Sequence, residues 1–342
     1  MGGINWSELF PGRWSPVIFI SYIALFINQG ILVTWSQRSG RYEYNIVAVV
    51  LMTEVLKLVI STTLYCKDNS ILTLLQETKK NKKVLLLYMI PALLYCLYNN
   101  LAFVNLARFD PTTYYILLQL RVVLTGIIFQ VIFNKKLSAT QWFSLMILTV
   151  GCMVKHFDAH VLGTEFHVDI FLLLILVQTK LILQTTCSCL AGVYNEYLLK
   201  RQGADIDIFI QNVFMYIDSI FCNIVVIVLL SVFTNDVSET LSNVEIGTFL
   251  QPKVILIMLN NSLVGIITSF FLKTLNSILK TFASAVELIF TAMLCWILFS
   301  IPVSTNTIVS IAMVSVAVIL YSRNPVQNAQ PKEVAESGKL LV

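Results

Sequence analysis

Long apolar runs recur along the whole sequence, and no other feature restricts the fold as strongly. The hydrocarbon core of a bilayer is about 30 Å thick, so a helix needs about 20 mainly apolar residues to cross it. The sequence supplies such runs repeatedly if isolated charges inside a run are accepted. It therefore predicts ten membrane-spanning helices, at approximately residues 16–35, 45–65, 84–105, 111–133, 137–154, 168–199, 206–232, 253–272, 275–299 and 303–322.

The composition agrees with an all-α polytopic membrane protein. Hydrophobic residues make up 57% of the chain and charged residues 12%, and the mean hydropathy is +0.80, far above that of a soluble domain. The net charge of +4 is small and spread over loops, which excludes the strong basic surface of a nucleic-acid-binding protein. The seven cysteines lie in or beside apolar runs, where thiols usually serve as packing residues.

Lysine and arginine residues are distributed unequally between the predicted loops. Most of them fall on one side, as in Lys79, Lys80, Lys82 and Lys83 between the second and third runs. Cytoplasmic loops carry an excess of Lys and Arg, so this side is predicted to be cytosolic. With an even number of spans, both termini are then cytosolic.

Ten spans divide into two sets of five, and a repeat with an odd number of spans must reappear with opposite topology. The predicted organisation is a cytosolic N-terminus (1–15), a first five-helix repeat (16–154), a second five-helix repeat (168–322) and a cytosolic disordered tail (323–342). Arg121 lies in the fourth span of the first repeat, and Lys280 lies in the fourth span of the second. Both cations are predicted to face one central cavity.

Arg121 is the only charge between Pro111 and Phe133. A central arginine costs about 2.5–3.5 kcal/mol to insert, so it normally faces a polar cavity and a partner. Tyr114 lies two helical turns before it on the same predicted face. This face suits an anion that carries a flat ring. The alternative is a structural salt bridge to Glu54, Asp218 or Glu287.

Further polar residues interrupt other predicted spans, and each has a structural and a functional interpretation. Glu54 and Lys57 lie three residues apart on one helix face, so they either form a structural ion pair or act as gating charges. Polar clusters in the third and seventh spans either hydrogen-bond between helices or contact a base or sugar. The cluster in the third span contains Tyr95, Tyr98, Asn99 and Asn100, and the cluster in the seventh span contains Asn212, Tyr216 and Asp218.

Enzymatic chemistry has little support in the sequence. All three histidines lie between 156 and 167, and His156 and His160 have the spacing of metal ligands. A multispanning membrane enzyme that uses this loop is the alternative from another functional class. The sequence has no glycine-rich phosphate loop and no His-Glu-x-x-His motif. No metal or other cofactor is expected.

Residues 99–121 read NNLAFVNLARFDPTTYYILLQLR. This stretch resembles the Golgi nucleotide-sugar transporters of the UDP-galactose and CMP-sialic acid type, whose fourth span has a tyrosine followed by Gln-Leu-Lys. The resemblance continues through residues 53–58, 137–142, 191–196, 211–216 and 276–282. The opening residues 5–11 and residues 30–34 are most similar to the insect UDP-galactose transporters of that family.

The resemblance implies a drug/metabolite-transporter fold that imports a UDP-sugar, UDP-galactose above others, into the Golgi lumen in exchange for UMP. It implies that Arg121 and Lys280 bind phosphate. It also implies a base and sugar pocket lined by Tyr98, Asn100, Tyr114, Ser188, Asn212 and Tyr216. Arg121 replaces the family's usual lysine, and Leu118 stands where relatives often have a tyrosine. Alternatives are another nucleotide sugar, such as CMP-sialic acid or UDP-GlcNAc, and a phosphorylated organic anion.

The partners that follow from the resemblance are the UDP-sugar, UMP and the lipid bilayer, without nucleic acid. Homo-oligomerisation and association with glycosyltransferases are further options. The expected location is the Golgi membrane.

Overall fold

The computed structural model describes residues 13–38, 41–119, 123–124, 138–155, 168–234, 250–275 and 277–323. Within these ranges, side chains are described except at 152, 153, 155, 168–178, 230–234, 277–282, 284, 285 and 321–323. This part of the chain is helical, and its only β-type pairing is an isolated bridge between Arg38 and Arg41.

Eleven α-helices are defined in the described ranges. They are α1 (Ser15–Ser36), α2 (Ile46–Cys66), α3 (Ile71–Lys80), α4 (Lys82–Leu106), α5 (Pro111–Leu118), α6 (Ala139–Lys155), α7 (Val168–Tyr197), α8 (Ile208–Thr234), α9 (Pro252–Thr274), α10 (Ser277–Phe299) and α11 (Thr305–Arg323). A π-helical turn, Leu198–Gln202, continues α7. Most of the predicted fourth span beyond Gln119 lies outside the described residues.

Five of the helices in the described ranges are long and apolar enough to cross a bilayer. They are α1, α2, α4, α9 and residues Ile208–Leu229 of α8. Shorter apolar helices occur at Ala139–Gly151, Val286–Phe299 and Thr305–Leu320. The prediction of a polytopic all-helical membrane protein is therefore confirmed.

The sequence specifies several helix starts directly. The Asn45 side chain accepts a hydrogen bond from the Ala48 backbone N–H and so caps α2. Asp110 caps α5 in the same way, and the next residue is Pro111, whose missing N–H costs nothing at the first helical position. Such caps satisfy backbone N–H groups that have no partner inside the helix.

Helix α3 was not predicted from the sequence. Its ten residues connect α2 to α4, and its N-terminus is capped by the Ser70 hydroxyl, which accepts from the Thr73 N–H at 3.1 Å. Only Leu74 of this helix is buried, where it joins a cluster that includes Tyr65 and Tyr88. A search for long uncharged runs misses such a helix because it is short and amphipathic.

Six helices enclose the centre of the molecule. Helix α1 packs against α9, α4 packs against α7, and α2 and α4 both pack against α8. Helix α2 also packs against α9. Outside this group, α6 packs against α11, and α10 contacts α1, α5 and α11. Each of the six inner helices therefore contributes polar residues to a common interior.

Candidate functional site

A cavity lies between α1, α2, α4, α7, α8 and α9. It holds about 1000 Å³ of empty space, counting the part that is open to solvent. Most of its lining is aromatic, polar or charged although the six helices are apolar overall. The lining includes Tyr22, Phe26, Gln29, Thr53, Glu54, Lys57, Tyr95, Tyr98, Asn99, Phe103, Ser188, Asn195, Tyr216, Ser219, Asn261, Gly265, Thr268 and Ser269.

An ion pair on α2 supplies the charges of this lining. The Lys57 ammonium lies 2.7 Å from the Glu54 carboxylate, and their side chains are only 9% and 3% exposed. Asn99 of α4 donates a longer hydrogen bond of 3.3 Å to the same carboxylate oxygen. The three-residue spacing that the sequence analysis identified therefore does produce a buried pair, and this pair borders the cavity.

Two other contacts define the position of the Lys57 side chain. Its ammonium lies 5.6 Å from the centre of the Tyr216 ring on α8, within the range of a cation–π interaction. Gly265 of α9 leaves room for the lysine stem, because a Cβ at this position would lie 2.7 Å from the Lys57 Cε. An ammonium has three donors, so Lys57 keeps donors for a ligand while it pairs with Glu54.

Some lining atoms lack a protein partner within the described ranges. The Ser219 hydroxyl and the Asn261 side-chain oxygen are buried and form no hydrogen bond there. Buried polar groups are normally hydrogen-bonded, so an orphaned group at a cavity wall is suited to a ligand. The aromatic side chains in the wall add flat surfaces on which a ring can stack.

Three of the six uncharged residues that the resemblance implied lie in this wall. They are Tyr98 on α4, Ser188 on α7 and Tyr216 on α8. They come from three helices that are distant in sequence, and the packing of α4 against α7 and α8 brings them together. Tyr95 and Asn99, from the polar cluster of the third predicted span, also line the cavity.

The other three uncharged residues lie elsewhere. The Tyr114 hydroxyl accepts a 2.7 Å hydrogen bond from Gln184, and its ring is in an apolar core. Asn100 donates to Asn223 of α8 at 3.2 Å, which links two helices. Asn212 is buried on α8, one turn before Tyr216. None of these three lines the cavity in this conformation, and their substrate contacts stay predictions.

The side chains of the two cations predicted to bind phosphate lie outside the described part of the chain. Arg121 lies outside the described residues. Lys280 lies in the first turn of α10, and its side chain is likewise outside the described part. Their convergence on the cavity stays a prediction. His156 and His160 also lie outside the described ranges.

The contribution of α9 was not predicted from the sequence. Asn261, Gly265 and Thr268 lie at i, i+4 and i+7, so they form one stripe along that helix, and Ser269 flanks it. Small and polar residues at helical spacing inside an apolar span are the signal that would have identified this wall. Gln29 and Asn195 also line the cavity, and each adjoins another polar residue of its helix, Asn28 and Glu196 respectively, so its position alone did not single it out.

The wall suits a ligand that has a flat ring, hydroxyl groups and an anionic group. Aromatic faces can contact the ring, amide and hydroxyl groups can bind sugar-type hydroxyls, and the Lys57 ammonium can contact an anion. Within the described ranges, no group of three His, Cys, Asp or Glu residues is placed to hold a metal ion.

Comparisons with known proteins agree with this chemistry. The family model described as "Nucleotide-sugar transporter" matches residues 17–322. The chain is 52% identical to the UDP-galactose transporter senju of Drosophila melanogaster, over 95% of this chain and 90% of that protein. It is 28% identical to CMP-sialic acid transporter 2 of Oryza sativa subsp. indica, over 91% and 84% of the two chains.

The fold is also found in solved structures, among them one crystal structure of low sequence identity. It superposes with a TM-score of 0.57 at 11% identity and covers 91% of this chain and 98% of its own.

Proposed function

Because the chain belongs to the nucleotide-sugar transporter family, we propose that it carries UDP-galactose into the Golgi lumen in exchange for UMP. Family membership makes it a transporter and not an enzyme. The proposal of UDP-galactose rests on the 52% identity to a UDP-galactose transporter over 95% of the chain. The CMP-sialic acid transporters are more distant, at 28% identity or less.

The cavity supplies the contacts that such a substrate needs. Tyr98 on α4 and Tyr216 on α8 provide aromatic faces for the uracil ring. The Glu54 carboxylate accepts hydrogen bonds from sugar hydroxyls, and Ser188 and Asn261 provide further polar atoms. The Lys57 ammonium contacts the diphosphate or the galactose, depending on the orientation of the substrate.

The described wall does not balance the charge of a diphosphate. Glu54 and Lys57 cancel each other, so the pair contributes no net positive charge. A low-dielectric cavity binds a multiply charged anion only if cations offset that charge. We therefore assign phosphate binding to Arg121 and Lys280, whose guanidinium and ammonium groups are suited to phosphate oxygens. Tyr114, Asn100 and Asn212 belong to the proposed site only through the resemblance.

Exchange follows from the same electrostatics. Without an anion, two cations directed into one cavity repel each other and lack partners. This cost opposes the switch between the inward-open and outward-open states. A nucleotide in either direction removes the cost, so the loaded carrier reorients and the empty one does not.

Helix packing supports two inverted five-helix repeats, with α1, α2, α4, α5 and α6 in residues 16–154 and α7 to α11 in residues 168–322. Taken in order, α1, α2, α4, α5 and α6 correspond to α7, α8, α9, α10 and α11. The contact of α1 with α9 then corresponds to the contact of α7 with α4. The contact of α4 with α8 likewise maps onto that of α9 with α2. The pairs α2–α8, α5–α10 and α6–α11 map onto themselves. Each repeat also contributes three helices to the cavity wall.

The orientation follows from the loop charges. With both termini in the cytosol, Lys79, Lys80, Lys82 and Lys83 are cytosolic, as the positive-inside rule requires. The segments 1–15 and 323–342 are then cytosolic. Homo-oligomerisation and association with glycosyltransferases stay predictions.

Counterflow in proteoliposomes tests the proposal. Vesicles are loaded with UMP, labelled UDP-galactose is added outside, and uptake is compared with that of vesicles without a nucleotide. We expect uptake only with internal UMP, and competition by external UMP but not by CMP or GMP. Uptake that is independent of internal nucleotide would contradict exchange, and competition by CMP alone would indicate a CMP-sugar carrier.

Substitution of Arg121 tests its proposed role in phosphate binding. Arg121→Ala is expected to abolish counterflow while the protein still reaches the membrane, and Arg121→Lys is expected to retain part of it. Transport by Arg121→Ala at the wild-type rate would overturn the assignment. Labelled CMP-sialic acid, UDP-GlcNAc and triose phosphate, used as alternative external substrates, test the competing specificities in the same vesicles.

A further inference from the structure

Helix α3 has an apolar arc that no part of the described chain covers. Ile71, Leu72 and Leu75 are 51%, 67% and 53% exposed. At 3.6 residues per turn the three side chains fall within about 100° of the helix circumference. Thr73, Gln76, Glu77 and Lys80 occupy the opposite face, so the helix is amphipathic.

The position of α3 limits what can cover this arc. The helix follows α2 after Ser70 and precedes α4, which begins at Lys82. Both neighbours are membrane-spanning helices, so the ends of α3 are fixed close to the bilayer surface. Leu74 anchors one edge of the helix to the protein through the cluster of Tyr65 and Tyr88. The exposed arc lies next to that anchored edge, so bilayer lipid is the material that can cover it.

Basic residues extend the same surface. Residues 79–83 read Lys-Lys-Asn-Lys-Lys. Lys80 pairs with Glu77 at 3.1 Å, whereas Lys79, Lys82 and Lys83 are exposed and form no ion pair within the described part of the chain. Lys79 lies within the angular range of the apolar arc, where its stem can lie along lipid while its ammonium reaches the headgroups.

We propose that α3 and Lys79, Lys82 and Lys83 form an interfacial anchor that binds anionic lipid headgroups of the leaflet next to this loop. An amphipathic helix with a lysine cluster beside a membrane span is the arrangement that recognises anionic lipids. Ile71, Leu72 and Leu75 enter the boundary between headgroups and acyl chains. The three unpaired lysines then contact phosphate groups above them.

Hydrogen–deuterium exchange of the full chain in nanodiscs tests this anchor without any transport assay, so its outcome is independent of the proposed function. Three lipid compositions are compared: phosphatidylcholine alone, with phosphatidylserine, and with a phosphatidylinositol phosphate at matched charge. One lysine near an anionic surface contributes about fivefold to affinity, so we expect anionic lipid to slow exchange of residues 71–80 by at least about tenfold. Equal exchange in all three compositions would overturn the proposal.

Two sets of variants separate the lysines from the apolar arc. The triple variant Lys79→Gln, Lys82→Gln, Lys83→Gln should lose the response to anionic lipid, whereas replacement of the same lysines by arginine should retain it. Arg201→Gln is the control, because it removes an exposed basic residue from the turn after α7. Leu72→Ser with Leu75→Ser should speed exchange in every lipid, phosphatidylcholine included.

The results also identify the headgroup. Slowing by both anionic lipids would support recognition of surface charge, and slowing by the phosphatidylinositol phosphate alone would support a phosphate-specific site on the same lysines. A response that persists in the glutamine variant would overturn the role of the lysines. Unchanged exchange in the serine variant would overturn the insertion of the arc.

Discussion

Two polar clusters are buried among the membrane helices, and their surroundings differ. Glu54, Lys57 and Asn99 border the central cavity. Gln184 instead donates to the Tyr114 hydroxyl and accepts from Asn105, both at 2.7 Å, with apolar residues around them. Both clusters link separate helices, and the side chains of Glu54, Lys57 and Gln184 are buried. The empty space beside the first cluster is what distinguishes this candidate binding site from a structural contact.

The two clusters also differ in what their interactions contribute to stability. A buried ion pair often stabilises a protein less than apolar residues of similar size would, because desolvation offsets the attraction between the charges. Its presence in a membrane helix is therefore better explained by function than by stability. Hydrogen bonds between uncharged side chains are common between membrane helices and contribute modestly to their association. Substitutions in the two clusters should thus affect different measurements.

The largest effect is expected for Lys57→Met, which keeps most of the length of the side chain but removes its charge. The change leaves the Glu54 carboxylate buried without its cation, and breaking a buried pair costs about 3–5 kcal/mol. Counterflow of UDP-galactose per folded molecule should fall by at least about 100-fold.

The double variant Glu54→Gln, Lys57→Met is the control for this loss. It removes both charges, so the folded protein should recover while transport stays low. Recovery of transport in the double variant would mean that the pair is only structural, and the distinction between the clusters would fail.

A smaller effect is expected for Gly265→Ala. The new methyl group would lie 2.7 Å from the Lys57 Cε, and the flexible lysine stem can move aside with little cost to folding. The ammonium is then displaced from its position, so the apparent affinity for UDP-galactose should fall by about tenfold, or about 1.4 kcal/mol.

Gly151→Ala is the matched control for this change, because it crowds Met313 and Val314 between α6 and α11, away from the cavity. It should lower thermal stability and leave the affinity unchanged. Equal affinities in the two variants would remove Lys57 from the binding contacts.

The sequence predicted much of the fold because a bilayer sets a minimum length for an apolar helix. The spans at 16–35, 45–65, 84–105, 206–232 and 253–272 correspond to the five long helices. Helix α3 escaped prediction because membrane length does not constrain a surface helix. The resemblance to nucleotide-sugar transporters is confirmed by the family match over residues 17–322.

The site was less predictable, because its composition depends on how each helix is rotated about its axis. The spacing of Glu54 and Lys57 indicates a pair, but only the packing of α2 against α8 and α9 places that pair beside the cavity. Tyr114 was predicted to bind substrate from its position relative to Arg121. Its hydrogen bond to Gln184 joins residues 70 positions apart, and no local pattern reveals such a contact.

The third prediction concerns the cluster of Gln184, Tyr114 and Asn105. Gln184→Leu removes both side-chain hydrogen bonds and leaves the Tyr114 hydroxyl and the Asn105 amide without this partner. Removing a hydrogen-bond partner from a buried polar group costs up to about 1–3 kcal/mol, so the melting temperature should fall. The affinity of the remaining folded protein for UDP-galactose should not change. A loss of affinity at unchanged stability would instead support the sequence-based assignment of Tyr114 to the substrate pocket.

The smallest effect is expected for Asn99→Ala, which tests how far the cavity cluster extends beyond its charges. The Asn99 amide donates to Glu54 at 3.3 Å, a long contact for a hydrogen bond, whereas Lys57 donates at 2.7 Å. Because Lys57 remains, the carboxylate keeps its main partner, and the expected cost is about 1 kcal/mol, or about fivefold in affinity. The affinity should be measured by competition in the counterflow assay, with Asn100→Ala as the neighbouring control that removes the contact to Asn223. If Asn100→Ala lowered affinity more than Asn99→Ala, the polar edge of α4 that faces α8 would belong to the site, and the wall would extend beyond the cavity seen in this conformation.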